Sequence, residues 1–335
     1  MKSAKTGRSL FLRGSLLGAA CVFNVMNPLN AAELGKPFNP QEFKSAGVVA
    51  AWEKYGDVLT WGKGQTVAVL DDCCDIDVPQ WKVNLPWGAP KVVASWNSVE
   101  NNDNPRPVGS AYHGTTVAYP SSLNYEGTYG VAFNNQIAPV RCATAVHLRK
   151  DESATIVKAL EWVLENREKL NITAVNLSVL DDQKHPEDVA SSLDVPLKAL
   201  REAGVWVSAP CGNNEYTTGI SWPAASAYCF AIGATNPGKG TPYRDRFSNT
   251  DILSPAKATS TANACLVGFS QVLREAIEKT GYDWKAKGET LPEAMMVIFR
   301  ETGSTVHDSG TGLDFQVANL LNALDYIFAQ KQAKS

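Results

Sequence analysis

Four side chains in this 335-residue chain have the types and the order needed for acyl transfer by a serine hydroxyl: Asp71, His113, Asn213 and Ser260. A serine attacks a carbonyl only when a base takes its proton and a carboxylate holds that base in the correct tautomer. The negative oxygen that forms needs hydrogen-bond donors, and an asparagine amide is one. We therefore expect Ser260 to be the nucleophile and His113 the general base, then the general acid. Asp71 would orient the histidine, and Asn213 would donate to the oxyanion.

Each of these residues also has a plainer interpretation when it is considered alone. Ser260 lies among small residues that could pack a helix against a sheet, Asp71 could cap a turn, and Asn213 follows a glycine as many turn residues do. Of the four histidines, only His113 is followed by Gly-Thr-Thr and a small apolar run, as at the start of a helix. His307 is the histidine that follows Ser260, but its segment indicates an exposed loop, so we do not expect it to be the base.

The surrounding chain alternates between short apolar runs and amphipathic stretches. Buried parallel strands are predicted at 65–71, 136–143, 172–178, 205–210 and 229–235. Helices are predicted at 46–56, at 151–170 with Asp151 as N-cap, from an N-cap at Asp194 to Gly204, and at 260–279, 292–302 and 313–328. This alternation predicts an α/β fold with a mostly parallel central sheet and helices on both faces. In such sheets the chemistry gathers at the carboxyl ends of the strands, where Asp71 and Asn213 lie.

Eight segments, in order along the chain, resemble motifs of the subtilisin-like serine proteases, the subtilases. VAVLDDCCDIDVPQW resembles the motif of the catalytic aspartate, HGTTVA that of the histidine, GVWVSAPCGNN that of the oxyanion asparagine and ATSTANACLVG that of the serine. The other four are GVAFNNQIAPVRC, AVNLSV, WPAASAYCFAIGAT and FSNTDILSPA. The order Asp, His, Ser is the one found in subtilisin. The resemblance covers roughly residues 46–326.

This resemblance implies a three-layer subtilisin-like fold and a secreted serine endopeptidase. Such an enzyme hydrolyses peptide bonds through an Asp-His-Ser triad and an acyl-enzyme intermediate. The backbone N–H of Ser260, at a helix N-terminus, would join Asn213 in binding the oxyanion. The resemblance also implies a polypeptide substrate, bound by Ser178, Val179, Leu180, Pro210 and Gly212.

The sequence departs from the family pattern close to the expected site. Ala258 replaces a glycine before the nucleophile, and Leu180 replaces a glycine beside the substrate, where its side chain would narrow the site. Asp72 puts a second carboxylate beside the triad acid, which should raise the pKa of His113. The chain between SPA and the serine motif is also shorter than in the family. These changes motivate two alternatives: a catalytically weak or inactive binding protein (a pseudoprotease), and a hydrolase of non-peptide acyl groups.

The N-terminus has the three parts of a secretory signal, which we assign to residues 1–32. A basic start is followed by the apolar run SLLGAACVFNVM and by small residues at LNAAEL. This predicts a secreted or periplasmic protein. Residues 33–335 would form a single peptidase domain with no evident propeptide. The apolar run is too short and too interrupted to predict a membrane span.

Six of the seven cysteines follow the expected signal: Cys73, Cys74, Cys142, Cys211, Cys229 and Cys265. In an exported protein they could form disulfides, and they could equally be buried thiols that pack as small hydrophobes. Because Cys73, Cys211 and Cys265 lie near expected catalytic positions, one hypothesis is that a disulfide braces the site.

Composition limits the remaining function classes. A formal net charge of -3 and a charged fraction of 19% fit an ordinary globular protein and favour neither nucleic acid nor an anionic membrane as partner. No sequence feature indicates oligomerisation, so we expect a monomer. No cofactor is evident. A structural calcium ion would suit the family, but Gln80 replaces an acid that often binds calcium in relatives, which argues against that site.

Overall fold

A central sheet of nine strands organises the computed structural model, which describes residues 35–149 and 152–332. Its strand order is β11-β12-β10-β9-β8-β7-β2-β6-β3, and a separate small sheet has the order β1-β5-β4. The strands are β1 (Lys36–Pro37), β2 (Thr66–Asp71), β3 (Trp96–Asn97), β4 (Asn124–Tyr125), β5 (Thr128–Tyr129), β6 (Gln136–Arg141), β7 (Ile172–Leu177), β8 (Trp206–Pro210), β9 (Phe230–Thr235), β10 (Ile252–Pro255), β11 (Ser304–Asp308) and β12 (Leu313–Val317).

Helices cover both faces of the central sheet. They are α1 (Pro40–Ser45), α2 (Val48–Tyr55), α3 (His113–Val117), α4 (Tyr119–Ser122), α5 (Ser153–Asn166), α6 (Asp194–Glu202), α7 (Thr259–Thr280), α8 (Leu291–Thr302) and α9 (Leu320–Gln332). Neighbouring strands from β3 to β12 are parallel, and β11 pairs antiparallel with β12. The predicted three-layer α/β architecture is therefore confirmed.

The middle of β2 is apolar without interruption, because the strand is buried on both faces. Its side chains alternate between two cores, because successive residues of a strand point to opposite faces. Val67 and Val69 pack with α2, α7, α8 and α9, whereas Ala68 and Leu70 pack with α5 and α6. A strand covered on both faces has no polar side, so the alternation expected of a half-exposed strand is missing.

The parallel strands bring their carboxyl ends to one edge of the sheet. β2 pairs with β6 on one side and with β7 on the other, with Leu70 opposite both Val140 and Leu177. β7 pairs with β8 in turn. As a result, residues that directly follow β2, β7 and β8 emerge close together, although the chain separates them widely.

The five predicted strands are all present, and most predicted helices are too, with ends that shift by a few residues. The helix predicted at 313–328 is wrong in its first part, because 313–317 form strand β12 and the helix begins at Leu320. The segment around His307, predicted to be an exposed loop, is strand β11, whose five residues pair with β12. Strand β10 and helix α1 were not predicted.

Two predicted helix caps have different outcomes. Asp151 lies outside the described residues. Asp194 is the first residue of α6, with Leu193 before it in the N-cap position, so its assignment as N-cap was off by one residue. Its carboxylate still accepts a hydrogen bond from the backbone N–H of Ser191 at 3.1 Å, upstream of the helix.

All six cysteines that follow residue 32 are free and buried. The disulfide interpretation, and with it the disulfide brace at the site, is therefore wrong in this structure, and the thiols pack as small apolar groups. Burial raises the pKa of each thiol, Cys73 with added repulsion from Asp72. In the described part of the chain, no helix has the length and apolarity needed to cross a bilayer.

Candidate active site

Asp71 and His113 form a close pair at the carboxyl edge of the sheet. Asp71 ends β2 and is fully buried, and His113 is the first residue of α3. His113 Nδ1 lies 2.9 Å and 3.0 Å from the two carboxylate oxygens of Asp71. Gly114 permits this approach, since a Cβ there would lie 1.9 Å from the carbonyl oxygen of Cys73. The Nδ1–H therefore points at the acid and leaves Nε2 as the basic nitrogen.

The electrostatics of this pair suit a general base. Burial raises the pKa of Asp71 to about 6, against the lowering effect of His113, so the acid is mostly ionised at neutral pH. Burial by itself would lower the pKa of His113, but the charge and hydrogen bond of Asp71, with the charge of Asp72, raise it above its ordinary value. The expected effect of the second carboxylate is therefore confirmed in direction.

Ser260 is the second residue of α7. Ala258, before the helix, is extended with φ -139° and ψ 152°, so the chain turns sharply into the helix and presents Ser260 at its N-terminus. The short connection from β10 leaves no hairpin here. Ser260, His113 and Asn213 all line one cleft of about 460 Å³. Among the described residues no hydrogen bond joins Ser260 Oγ to His113, an open arrangement that is common in enzymes without bound substrate.

The side chain of Asn213 is oriented by the residue before the nucleophile. Its Oδ1 accepts a hydrogen bond from the backbone N–H of Thr259 at 3.0 Å and lies 3.2 Å from the Thr259 hydroxyl. Because a backbone N–H needs an acceptor, this contact settles which end of the amide faces the helix. The Nδ2 donors of Asn213 remain for a ligand in the cleft.

A buried polar cluster lies beneath the nucleophile. Asn263, one turn after Ser260 on α7, donates through Nδ2 to Asn176 Oδ1 at 2.6 Å and to the Ser208 carbonyl at 3.1 Å. Ser178 donates to Asn176 Oδ1 at 3.1 Å. These contacts join α7 to the ends of β7 and β8, and so fix the helix that carries Ser260 relative to the sheet.

The five residues expected to bind substrate lie in different settings. Leu180 is almost fully buried, and its side chain lines the cleft. Ser178, Val179, Pro210 and Gly212 are buried and are not among the cleft-lining residues. Their role in binding substrate stays a prediction.

Leu180 also makes a backbone contact across the cleft edge. Its N–H donates to the Val146 carbonyl at 3.0 Å, and its carbonyl accepts from the Leu148 N–H at 2.8 Å. Val146 and His147 line the cleft with it. Asp182 adds two side-chain contacts at the same place: its carboxylate binds His147 Nδ1 and accepts a hydrogen bond from Asn214 Nδ2 at 3.2 Å. The segment 146–148 is therefore tied to the sheet edge beside the nucleophile.

His307 lies on β11 at the far edge of the sheet, exposed and paired with Asp314. The structure thus separates it from the cleft. In the described ranges, no group of three or more His, Cys, Asp or Glu side chains has the arrangement of a metal site. The expectation concerning calcium stays untested.

Thr259 and Asn263 were not predicted from the sequence, although both contact or fix residues expected to be catalytic. Thr259 could have been found from its place directly before Ser260, where its backbone N–H and hydroxyl lie within reach of the turn that carries Asn213. Asn263 was harder to find, since only the packing of α7 on the sheet shows that its amide meets Asn176.

The comparisons agree with this geometry. The family model described as the Subtilase family matches residues 62–295, most of the chain. The chain belongs to the subtilase family of peptidases.

Relatives in other organisms support the same assignment. The chain is similar to Subtilisin-like protease 3 of Arthroderma otae, at 25% identity over 75% of this chain and 60% of the relative. It is also similar to a subtilisin-like protease of Coccidioides posadasii, at 26% identity over 56% of this chain and 42% of that protein. The chain thus spans about three fifths or less of the length of these relatives.

A solved protease structure from Pseudoalteromonas arctica has the same fold. It superposes with a TM-score of 0.67 and covers 88% of this chain and 99% of its own, at 16% identity. At this identity the similarity supports the fold, and the arrangement of the site stands on the residues described above.

Proposed function

We propose that this protein is a serine endopeptidase that hydrolyses peptide bonds through an acyl-enzyme intermediate. The observation that carries the proposal is the Asp71–His113 pair, with Nδ1 2.9 Å from the carboxylate, in one cleft with Ser260 and Asn213. The family assignment supports a peptidase, and membership alone does not establish activity.

The proposed reaction uses each group in turn. His113 Nε2 takes the proton of Ser260 Oγ as the oxygen attacks the scissile carbonyl, and Asp71 stabilises the imidazolium. Asn213 Nδ2 and the Ser260 backbone N–H donate to the oxyanion. His113 then gives its proton to the leaving amine, which leaves the acyl group on Ser260. A water, deprotonated by His113, attacks the ester, and the carboxylic acid product departs as Ser260 regains its proton.

Export belongs to the proposal as well. The basic start, apolar run and small residues within 1–32 support a cleaved secretory signal and a secreted or periplasmic enzyme acting on polypeptides as a monomer. These residues lie outside the described part of the chain.

A second function, a binding protein with little or no proteolysis, has one specific observation in its favour. An extended peptide binds an enzyme by pairing with a free strand edge. Beside Ser260, the edge at Leu180 is already paired with segment 146–148. Peptide binding along this edge would require those two hydrogen bonds to open.

Labelling with a fluorophosphonate probe separates the two functions. We expect the folded protein to be labelled and Ser260→Ala to remain unlabelled. Ser270→Ala is the matched control, because Ser270 lies on the same helix, hydrogen-bonded to the Val267 carbonyl and away from the cleft. If folded protein resists the probe, the endopeptidase proposal fails and the binding function is favoured.

A further inference from the structure

The turn that carries Asn213 is held along its length by the segment 244–246. The Asp245 N–H donates to the Gly212 carbonyl at 3.2 Å, and the Arg246 N–H donates to the Tyr216 carbonyl at 3.0 Å. The two ends of the turn 212–216 are therefore anchored to neighbouring residues of one segment. Of the residues of this turn, Asn213 lines the cleft.

This turn has a backbone conformation that needs support. Gly212 has φ +114° and Glu215 has φ +63°, and the second is unusual for a residue with a side chain. Such conformations persist where the surroundings over-determine them. A Cβ at Gly212 would lie 2.2 Å from Asp245 Oδ2, so the turn is packed directly against that carboxyl group.

The Asp245 side chain supports the turn 212–216 from the buried side. It is fully buried, and its Oδ1 accepts a hydrogen bond from the Tyr216 N–H at 3.0 Å. Burial raises the pKa of Asp245 to about 6, while the backbone N–H groups of Tyr216, Asn214 and Glu215 act in the opposite direction. The hydrogen bond from the Tyr216 N–H ties the far end of the turn to this carboxylate.

The charged neighbours of Asp245 are engaged elsewhere. Arg246 makes a two-point ion pair with Asp308 at 2.8 Å, and Arg244 donates to the Lys257 carbonyl at 2.9 Å. Asp245 Oδ2 and the Ser221 hydroxyl have no partner among the described residues, and both lie against Gly212. The titratable and charged groups around the carboxyl are Arg244, Arg246, Glu215, Tyr216, Cys211 and Asp308.

We propose that Asp245 is a positioning residue for the oxyanion site, whose ionised carboxylate holds the turn 212–216 so that Asn213 Nδ2 faces the reacting carbonyl. The role rests on the proposed function. Hydrogen bonds to a carboxylate are stronger than those to a neutral acid, so protonation weakens the grip on the turn. A protonated Oδ2 also becomes a donor, for which Ser221 Oγ is the neighbouring acceptor.

The test is the pH dependence of fluorophosphonate labelling, measured from pH 4.5 to 8 on the wild type and on Asp245→Asn. Loss of wild-type labelling at low pH should follow three protons: one on His113, one on Asp71, whose pKa is also about 6, and one on Asp245. In Asp245→Asn, which keeps the acceptor but does not titrate, the loss should follow two protons. Its maximal rate should fall roughly 10-fold, less than the loss of a whole oxyanion donor.

Asp251→Asn is the matched control. Asp251 is a half-buried carboxyl that also has a raised pKa, and it accepts from the Ala231 N–H and pairs with Arg300, away from the turn. We expect this variant to lose stability but keep the three-proton dependence of the wild type. A merely structural role for Asp245 predicts the same behaviour for both variants, and that result would overturn the proposal.

The wild type alone also tests the role if Asp245→Asn does not fold. A loss that follows fewer than three protons contradicts a role for Asp245, because His113 and Asp71 account for two, whereas a loss that follows three supports it. Unlabelled wild type would defeat the proposed function and this role together. Labelled wild type with an unchanged Asp245→Asn profile would defeat this role and leave the proposed function standing.

Discussion

Asn213 Oδ1 accepts its hydrogen bond from the backbone N–H of Thr259, the residue directly before Ser260. Asn213 and Ser260, the proposed oxyanion donor and nucleophile, are therefore linked through one peptide unit, although they are 47 positions apart in the chain. A shift of the start of α7 would act on both side chains.

The first prediction concerns the donor itself. Asn213→Asp keeps an acceptor for Thr259 but lacks the Nδ2 donor, so labelling by a fluorophosphonate should fall about 100-fold or more. Thermal stability should change little, because the side chain is exposed. Thr218→Ala, at an exposed position outside the turn 212–216, is the control. Equal labelling of Asn213→Asp and wild type would exclude Asn213 as an oxyanion donor.

The second prediction concerns the charge beside the triad. Reaction requires neutral His113, whose pKa is raised in part by Asp72, so activity should appear above an inflection higher than the ordinary histidine value. Asp72→Asn removes the negative charge and keeps an oxygen that can accept the hydrogen bond from the Gly114 N–H. In the wild type this nitrogen lies 3.2 Å from Asp72 Oδ1. The inflection should move to lower pH, as measured by the pH profile of labelling. An inflection that moves up or stays in place would contradict this electrostatic account.

The third prediction concerns Leu180, whose side chain lines the cleft. Leu180→Ala should widen the site and raise the preference for a large over a small side chain at the cleaved bond roughly 10-fold. It should also destabilise the fold by about 2–3 kcal/mol, since the side chain is buried. Val179→Ala, buried on the other side of the strand end, should cost stability without altering preference. Peptide libraries and urea unfolding measure the two effects.

The fourth prediction concerns Lys91, which is fully buried without an acidic partner. Its ammonium donates to the carbonyls of Phe133 and Asn135 and to Asn135 Oδ1, and burial lowers its pKa well below the ordinary value. Lys91→Ala leaves these acceptors unpaired and should cost about 3 kcal/mol of stability. Lys169→Ala, at an exposed position, should cost almost nothing in the same urea titration. A mild effect of Lys91→Ala would show that the acceptors find other partners.

The fifth prediction concerns the cysteines. Because the six described thiols are buried with raised pKa values, they should resist thiol reagents in the native protein and react fully in denaturant. Mass analysis without prior reduction should find each of them alkylated after unfolding. Any disulfide among the six in the native protein would contradict the structure.

The amino-acid sequence alone was sufficient to predict the parallel sheet and the types of residue at the site. The apolar runs of β2, β7 and β8 predict strands buried on both faces, because no other setting tolerates such runs in a soluble domain. Asp71 ends one of those strands and Asn213 follows another. His113 was distinguished by the Gly-Thr-Thr run after it, whereas His307 was set aside because its segment indicated an exposed loop, which is in fact strand β11. The sequence therefore determined which residues were candidates and what chemistry they suit.

Only the tertiary structure showed that β11 and β12 extend the sheet beyond β10 and how the side chains of the site are oriented. Strands β11, at the sheet edge, and β12, between β11 and β10, were missed because such short strands form only against their partners, and local periodicity contains no information about those partners. The same limit applies to the contact of Thr259 with Asn213, to the pairing of Leu180 with segment 146–148 and to the packing of Asp245 against the turn 212–216. Each of these contacts depends on burial and on a neighbour that is distant in the chain, so it forms only when the chain packs.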